Sequence, residues 1–162
     1  APLEAEPLFT PKDRAQVEAL ARKHGFVLPP FDFAATNRKL PDKYRKFIGV
    51  WVDEFGFKGK GRRNLIILTA VDTSGRVHGF QLYGPADETS FDQNPAGSNL
   101  IDASIDGNGF KFQSRNRTSS FQVRLSDNND MHYTFANTKG QTTTRSFKPV
   151  WRLMDAQAKA GR

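Results

Sequence analysis

Two segments of the chain concentrate residue types that could bind a ligand. The first, Phe55–Arg63, alternates glycine with lysine and arginine and contains two phenylalanines. Backbone amides and cations presented together by such a loop can approach a phosphate or a carboxylate. No helix is predicted to follow the segment, so it is not a nucleotide-binding P-loop. A solvated hairpin tip without a ligand is the alternative interpretation.

The second segment, Pro85–Asn99, is a long stretch rich in Asp, Asn, Pro and Gly. Its acidic residues could make it a lid over the first segment, or a Ca²⁺ loop, although their spacing differs from that of an EF-hand. A structured flap without ligand contacts is the plain alternative. The candidate ligand-binding residues in and beside the two segments are Phe57, Lys58, Lys60, Arg62, Arg63, Tyr83, Asp87 and Phe91.

The chain offers no recognisable catalytic constellation. It contains no Cys, which excludes thiolate chemistry and disulfides. Its three histidines, His24, His78 and His132, are far apart in sequence, and the last two fall on strand positions that face solvent. Asp53 and Glu54 are adjacent, so on a strand they point to opposite faces and cannot form a catalytic carboxylate pair. These features favour binding over catalysis and indicate no catalytic residue, metal or cofactor.

The positive charge of the chain is concentrated in one region. Nine basic and three acidic residues lie between Thr36 and Arg63, which gives this stretch +6 of the net charge of +7. A basic region of this kind favours an anionic partner such as nucleic acid, anionic lipid or an acidic glycan. A solvated face is the plainer interpretation. The chain has neither the strand pattern of an OB-fold nor an RNP-like motif, which argues against nucleic acid.

The N-terminal part of the chain predicts one helix and an irregular arm. A helix is expected from Pro11 to about Lys23, with Thr10 as its N-cap and Gly25 as its stop. A helix this short is not stable alone and must dock on another element. The arm that follows, Val27–Pro41, contains prolines that break any regular element.

Period-two alternation of apolar residues begins at Phe47 and predicts eight strands. They are Phe47–Glu54, Asn64–Asp72, Arg76–Gly84, Leu100–Asp106, Gly109–Ser114, Thr118–Ser126, Met131–Asn137 and Thr142–Leu153. Pro149 indicates a bulge or an edge position in the last strand.

Most of the predicted connections are short turns, and none is a helical crossover. An open meander leaves two unpaired edges unless it closes on itself. We therefore predict an all-β fold, an eight-stranded antiparallel up-and-down β-barrel preceded by a short N-terminal α-helix and an extended arm. Phe31 and Phe33 of the arm are expected to pack on the barrel wall or its open end. Such a barrel is either filled by side chains or holds one small ligand.

Gly49-Val50-Trp51 in the first strand and Trp151-Arg152 in the last strand carry a family resemblance. With the meander, they resemble the calycin superfamily, which includes lipocalins and avidins. The resemblance implies that Trp51 closes one end of the barrel. It also implies that the Arg152 guanidinium packs across that indole and donates a hydrogen bond to the backbone entering the first strand. The roles of Gly49, Trp51, Trp151 and Arg152 are then structural.

Within the calycins, the loops and the Trp-x-Leu ending look closer to avidins than to classical lipocalins. The polar, tryptophan-lined biotin site of avidins does not carry over, because Val52-Asp53-Glu54 follows the first-strand Trp and the chain has only two Trp. Biotin binding is therefore not expected.

These elements divide the chain into three parts. Residues 1–46 form a helix and Pro-containing arm docked on the barrel, residues 47–153 form the calycin-like barrel, and residues 154–162 form a C-terminal tail. No apolar run approaches the roughly 18 residues of a spanning helix. Residues 1–7 resemble a mature N-terminus left by signal-peptide removal, which predicts a secreted or periplasmic protein; a domain edge is the alternative. Oligomeric state stays open.

Two functions follow as hypotheses. In the first, the protein binds a small or extended ligand, such as an anionic molecule, a glycan or a lipid, at the open end of the barrel. Both candidate segments border that end if Trp51 marks the closed one. In the second, the barrel is filled, and the basic arm and first loop engage an anionic macromolecule. A luminal cavity of several hundred Å³ would favour the first.

Overall fold

The computed structural model describes residues 8–53, 62–87 and 94–160, and its centre is one antiparallel sheet of eight strands. The strands are β1 (Gly49–Asp53), β2 (Asn64–Val71), β3 (Arg76–Tyr83), β4 (Gly97–Ser104), β5 (Gly109–Gln113), β6 (Ser119–Leu125), β7 (Met131–Asn137) and β8 (Thr142–Arg152). Their order is β4-β3-β2-β1-β8-β7-β6-β5. The sheet curls into a nearly closed barrel, which confirms the predicted fold class.

The first and last strands pair as predicted. Gly49 lies opposite Arg152 and Val50 opposite Trp151, but Trp51 lies opposite Pro149. This shift of register makes a β-bulge, as Pro149 indicated, because proline cannot donate a ladder hydrogen bond. The barrel is not continuous at β4 and β5, which do not pair along their length. We call the line between these two strands the seam.

Several predicted boundaries differ from the structure, and β1 for example begins at Gly49 rather than Phe47. The fourth strand begins at Gly97 rather than Leu100, since antiparallel pairing with β3 continues as far as Gly97 opposite Tyr83. Asn99 therefore belongs to the sheet and not to the preceding loop. The predicted C-terminal tail contains helix α3 (Leu153–Ala160), which follows β8 directly.

Helix α1 (Pro11–His24) confirms the predicted N-terminal helix and its caps. The Asp13 amide donates to the Thr10 hydroxyl, the Thr10 amide donates to the Asp13 carboxylate, and both distances are 3.1 Å. Gly25 ends the helix at φ +74°, a conformation that favours glycine. The arm is more regular than predicted, because it forms a 3₁₀ helix (Ala35–Lys39) and a one-turn helix α2 (Asp42–Arg45).

The arm packs on the outer wall of the barrel. Phe9 and Phe33 enclose the Trp151 indole, with ring centroids 5.2 and 4.5 Å from it. Phe31 contacts Phe33 and reaches Phe80 on β3. The predicted packing of the two arm phenylalanines on the wall is thus confirmed. The arm also explains why β2 is buried on both faces, with residues 65–68 fully inaccessible.

A bulge in β2 attaches the arm by hydrogen bonds. The register of β2 with β3 shifts between Leu68 and Ala70, at Thr69. The Thr69 carbonyl accepts from the Ala34 amide at 3.1 Å and from Asn37 Nδ2 at 2.8 Å. Because the bulge turns this carbonyl out of the ladder, it is available to the arm.

The inner wall of β5–β8 is lined by aromatic rings. Phe112 and Phe121 stack with centroids 4.6 Å apart, and Phe121 also contacts Tyr133 and Phe135. Tyr133 continues the chain of contacts to Phe147.

None of the helices among residues 8–53, 62–87 and 94–160 has both the length and the apolar character needed to cross a membrane.

Candidate ligand-binding site

Trp51 and Arg152 lie together at one end of the barrel, which we call the closed end. Trp51 is fully buried, and the Arg152 guanidinium lies over its ring at 5.7 Å, which confirms the predicted cation–π contact. Gly49 has φ +153°, and a Cβ there would lie 2.3 Å from the Trp151 carbonyl oxygen. Glycine therefore allows β8 to approach β1 closely. The Trp151 ring packs on the outer wall, against the arm.

The predicted hydrogen bond from Arg152 to the backbone entering β1 is wrong. The Phe47 carbonyl accepts from Trp51 Nε1 at 3.1 Å, and the Ile48 carbonyl accepts from the Leu153 amide at 3.3 Å. The guanidinium lies beside Asp155, with Nε 3.5 Å from its carboxylate. The role of Arg152 is ring packing and helix attachment.

A row of polar side chains lies on the inner wall near the opposite, open end. The row consists of Arg145 on β8, Asp53 on β1, Asn64 on β2, Gln81 on β3 and Asn99 on β4. Asp53, Gln81 and Asn99 are 0, 2 and 7% exposed. We call these five residues the polar row. Buried polar groups are usually hydrogen-bonded, and each of the three amides in this row makes at least one hydrogen bond.

Hydrogen bonds run along the polar row in one direction. Asn99 Nδ2 donates to Gln81 Oε1, and Gln81 Nε2 donates to Asn64 Oδ1, both at 2.8 Å. Asn64 Nδ2 continues to Asp53 Oδ2 at 3.4 Å, and Arg145 Nε lies 3.6 Å from the same oxygen. At the other end, the Arg115 amide donates to Asn99 Oδ1 across the seam at 3.2 Å.

Strand geometry places these residues together. Successive side chains on a strand alternate between faces, so Asp53 shares the inner face with Trp51, two residues before it. Gln81 lies opposite Ile66 on one side and opposite Asn99 on the other. The polar row therefore crosses five adjacent strands, next to the points where the two candidate loops leave the sheet.

Tyr133 on β7 adjoins the polar row and has a notable hydroxyl. Its side chain is 3% exposed, and among the described residues its hydroxyl makes no hydrogen bond. Burial and the nearby Asp53 carboxylate raise the tyrosine pKa well above its usual 10, against the opposing effect of Arg145. The phenol is therefore neutral and can both donate and accept a hydrogen bond. Buried tyrosine hydroxyls usually have a partner.

The structure locates part of the predicted site. Phe57, Lys58, Lys60 and Phe91 lie outside the described residues. The flanks of the two loops do meet, as predicted, because the Arg62 guanidinium lies 5.1 Å over the Tyr83 ring and donates to the Asn94 carbonyl.

Arg63 and Asp87, the other two described candidates of the loop flanks, lie just before β2 and shortly after β3. The Arg63 carbonyl accepts from the Gly84 amide at 2.8 Å. Its side chain acts on His24 at the end of α1, where burial, then Arg63 and Lys23, lower the histidine pKa. Asp87 is half-buried in the segment after β3.

The basic stretch is divided between the two ends of the barrel. Lys46, just before β1, donates to Asn108 in the turn after β4, which is at the closed end. Arg45 pairs with Asp42 at the same end. Arg62 and Arg63 lie at the open end, after β1 has crossed the barrel. The cations that are neighbours in sequence therefore do not form one patch among the described residues.

Sequence reasoning missed the polar row, although a signal was present. Gln81 and Asn99 occupy inner-face positions on strands whose other inner residues are apolar. The predicted loop Pro85–Asn99 includes Asn99, because the predicted fourth strand begins only at Leu100. The adjacency of Asp53 and Glu54 in sequence does not indicate that Asp53 faces other polar side chains. Polar residues at inward positions were the available indication.

In comparisons with known proteins, no family model, curated protein or solved structure matches the chain.

Proposed function

We propose that the protein is a non-catalytic binding protein that holds a ligand at the open end of a calycin-like barrel. The ligand would contact the polar row and the Tyr133 hydroxyl. The observation that carries the proposal is this hydroxyl, which belongs to a residue that is 3% exposed, adjoins the five polar side chains and makes no hydrogen bond with the described residues. A ligand group would provide the missing partner.

The composition of the inner wall supports a binding role. Burying a polar side chain generally destabilises a fold relative to a well-packed apolar one. The closed end follows that rule, with Trp51, Leu68, Met131 and Phe147 all fully buried. The open end departs from it along five adjacent strands. Departures of this kind from apolar packing are expected at functional sites.

The alternative function, a filled barrel that engages an anionic macromolecule through its arm and first loop, has less support. It requires the basic arm and the basic loop to act on one partner, whereas their described cations lie at opposite ends. Several of these cations are also engaged within the chain.

A ligand screen with two matched variants tests the proposal. Thermal shift and native mass spectrometry would be run with neutral sugars, fatty acids, biotin and small dicarboxylates. Gln81→Leu breaks the polar row, whereas Gln122→Leu removes the same amide from the outer wall of β6. We expect at least one compound to raise the Tm of the wild type and of Gln122→Leu by several degrees, but not that of Gln81→Leu.

The proposal fails if no compound binds, or if every bound compound binds Gln81→Leu as tightly as the wild type. The second result would place binding elsewhere on the molecule. Tight, salt-dependent binding of heparin or DNA in the same assays, without any luminal ligand, would support the alternative function instead.

A further inference from the structure

We infer that the ligand of the polar row is a neutral, polyhydroxylated molecule of the sugar class. Its hydroxyl groups would bond to the row, and its apolar face would lie against the phenylalanines of β5–β7. This inference rests on the proposed binding function and specifies the chemistry of the same site.

The donors and acceptors that the Gln81 and Asn99 side-chain amides leave unused determine which kind of ligand group can bind. Gln81 and Asn99 each use one N–H and one oxygen lone pair within the row. The second N–H of Asn99 has no partner among the described residues, and that of Gln81 has only a long contact of 3.5 Å to the Leu82 carbonyl. A primary amide has two donor hydrogens and two acceptor sites, so a donor and an acceptor remain side by side.

A hydroxyl group matches such a pair because it donates and accepts at one atom. The Tyr133 hydroxyl offers the same double capacity next to the row. An ammonium group can only donate, and a carboxylate can only accept, so each would use half of what the amides offer. Neighbouring strands lie about 4.8 Å apart, so the polar side chains of the row are spaced at about that interval. A molecule with several adjacent hydroxyls can therefore bond to more than one of them.

The charge of the polar row argues against an ionic ligand. Asp53 and Arg145 lie 3.6 Å apart and carry opposite charges, while the other three members are neutral amides. A charged ligand would bring a further charge into a largely buried site, where the desolvation penalty is large. A purely apolar ligand would leave the amides and Tyr133 without partners, which is also unfavourable.

The inner wall formed by β5, β6 and β7, which begins on the far side of the seam from β4, supplies an apolar surface. Phe112, Phe121 and Phe135 occupy adjacent inner positions of β5, β6 and β7. Phe112 and Phe121 are 7 and 5% exposed, and Phe135 is half-buried. A sugar ring has hydroxyls around its rim and C–H groups on its faces. It can therefore satisfy the polar wall and the aromatic wall at the same time.

The test uses defined sugars and a variant that removes one oxygen atom. Binding of glucose, galactose, N-acetylglucosamine, cellobiose, lactose and chitobiose would be measured by saturation-transfer NMR and calorimetry. Glucuronate and glucosamine are the charged counterparts. We expect at least one neutral sugar to bind, with its charged counterpart at least tenfold weaker.

Tyr133→Phe should weaken the binding of that neutral sugar about tenfold, since it removes one hydrogen bond in a buried site. Its Tm should stay within about 1 °C of the wild type or rise, because the removed hydroxyl makes no hydrogen bond with residues 8–53, 62–87 or 94–160. Gln122→Leu, on the outer wall, should leave the affinity unchanged. A structural role for Tyr133 would predict loss of stability instead.

The outcomes separate this inference from the proposed function. Binding of a fatty acid, biotin or a dicarboxylate that is abolished by Gln81→Leu, without any sugar binding, would overturn the sugar assignment and leave the site intact. A sugar that binds Tyr133→Phe as tightly as the wild type would also overturn it. Silence of all compounds, sugars included, would overturn both.

Discussion

At the scale of single residues, Gly49 controls the contact between the first and last strands. Its backbone adopts φ +153°, and its Cα faces the Trp151 carbonyl closely enough that a Cβ would lie 2.3 Å away. Neither atom of that clash is the end of a flexible side chain, so the strand itself would have to move. The Gly-x-Trp pattern therefore reflects a steric requirement of β1–β8 pairing.

Gly49→Ala is expected to reduce the free energy of unfolding by about 3 kcal/mol or more, because it combines a backbone clash with an unfavourable φ. Urea denaturation followed by circular dichroism measures this change. Gly140→Ala is the matched control, since Gly140 also has a positive φ, +79°, but nothing lies within 4 Å of its Cβ position. Gly140→Ala should reduce the free energy of unfolding by only about 1 kcal/mol. Equal costs for the two variants would contradict the steric explanation.

At the scale of elements, the arm and the barrel share one hydrophobic core. Phe33 of the arm is 7% exposed and contacts Phe9, Phe31 and Trp151. The arm thus covers the outer faces of β1, β2 and β8, and α1 docks through Val17 and Ala21, both buried. Helix α1 is stabilised by this docking rather than by its own length.

Phe33→Ala should destabilise the protein by about 3–5 kcal/mol, the usual cost of removing a buried phenylalanine. It should also shift the tryptophan emission to longer wavelength, because Trp151 becomes exposed to water while Trp51 stays inside the barrel. Val27→Ala in the same arm, at a position that is 61% exposed, should change stability by less than about 0.5 kcal/mol. An unshifted emission spectrum in Phe33→Ala would show that the arm does not cover Trp151.

At the scale of the whole molecule, the barrel closes by two different means. Between β1 and β8 it closes by a hydrogen-bonded ladder with one bulge. Between β4 and β5 the backbones meet only at the turn, where Asp106 bridges Gly109, and the Asn99 side chain spans the gap near the open end. The polar row therefore also links the two sides of the seam through Asn99, in addition to its proposed binding role.

Asn99→Ala should lower the free energy of unfolding by about 1–3 kcal/mol, because it leaves Gln81 Oε1 and the Arg115 amide without their partner. Hydrogen exchange at the Arg115 amide should become much faster. Asn108→Ala, at the closed end of the same seam, removes only an exposed contact with Lys46 and is the control. Unchanged exchange at Arg115 would mean that Asn99 does not hold the seam.

Much of the fold was predictable because its signals are local. Alternation along each strand, the Asp106–Gly109 turn and the capping residues of α1 each depend on a few neighbouring residues. The short helices of the arm were missed, since no periodic pattern marks helices of one turn. The start of β4 was misplaced because the residues before Leu100 are polar and resemble a loop.

The candidate site was far less predictable, and the reason is geometric. The sequence by itself determined that the chain forms an antiparallel barrel and that no thiol chemistry occurs, while the contact of Trp51 with Arg152 was an expectation from the family resemblance. Only the tertiary structure decided that side chains from β8, β1, β2, β3 and β4 form one hydrogen-bonded row, and that the basic stretch is divided between two ends. Contacts between strands depend on register and closure, which bring together residues far apart in sequence, such as Asp53 and Arg145, 92 positions apart.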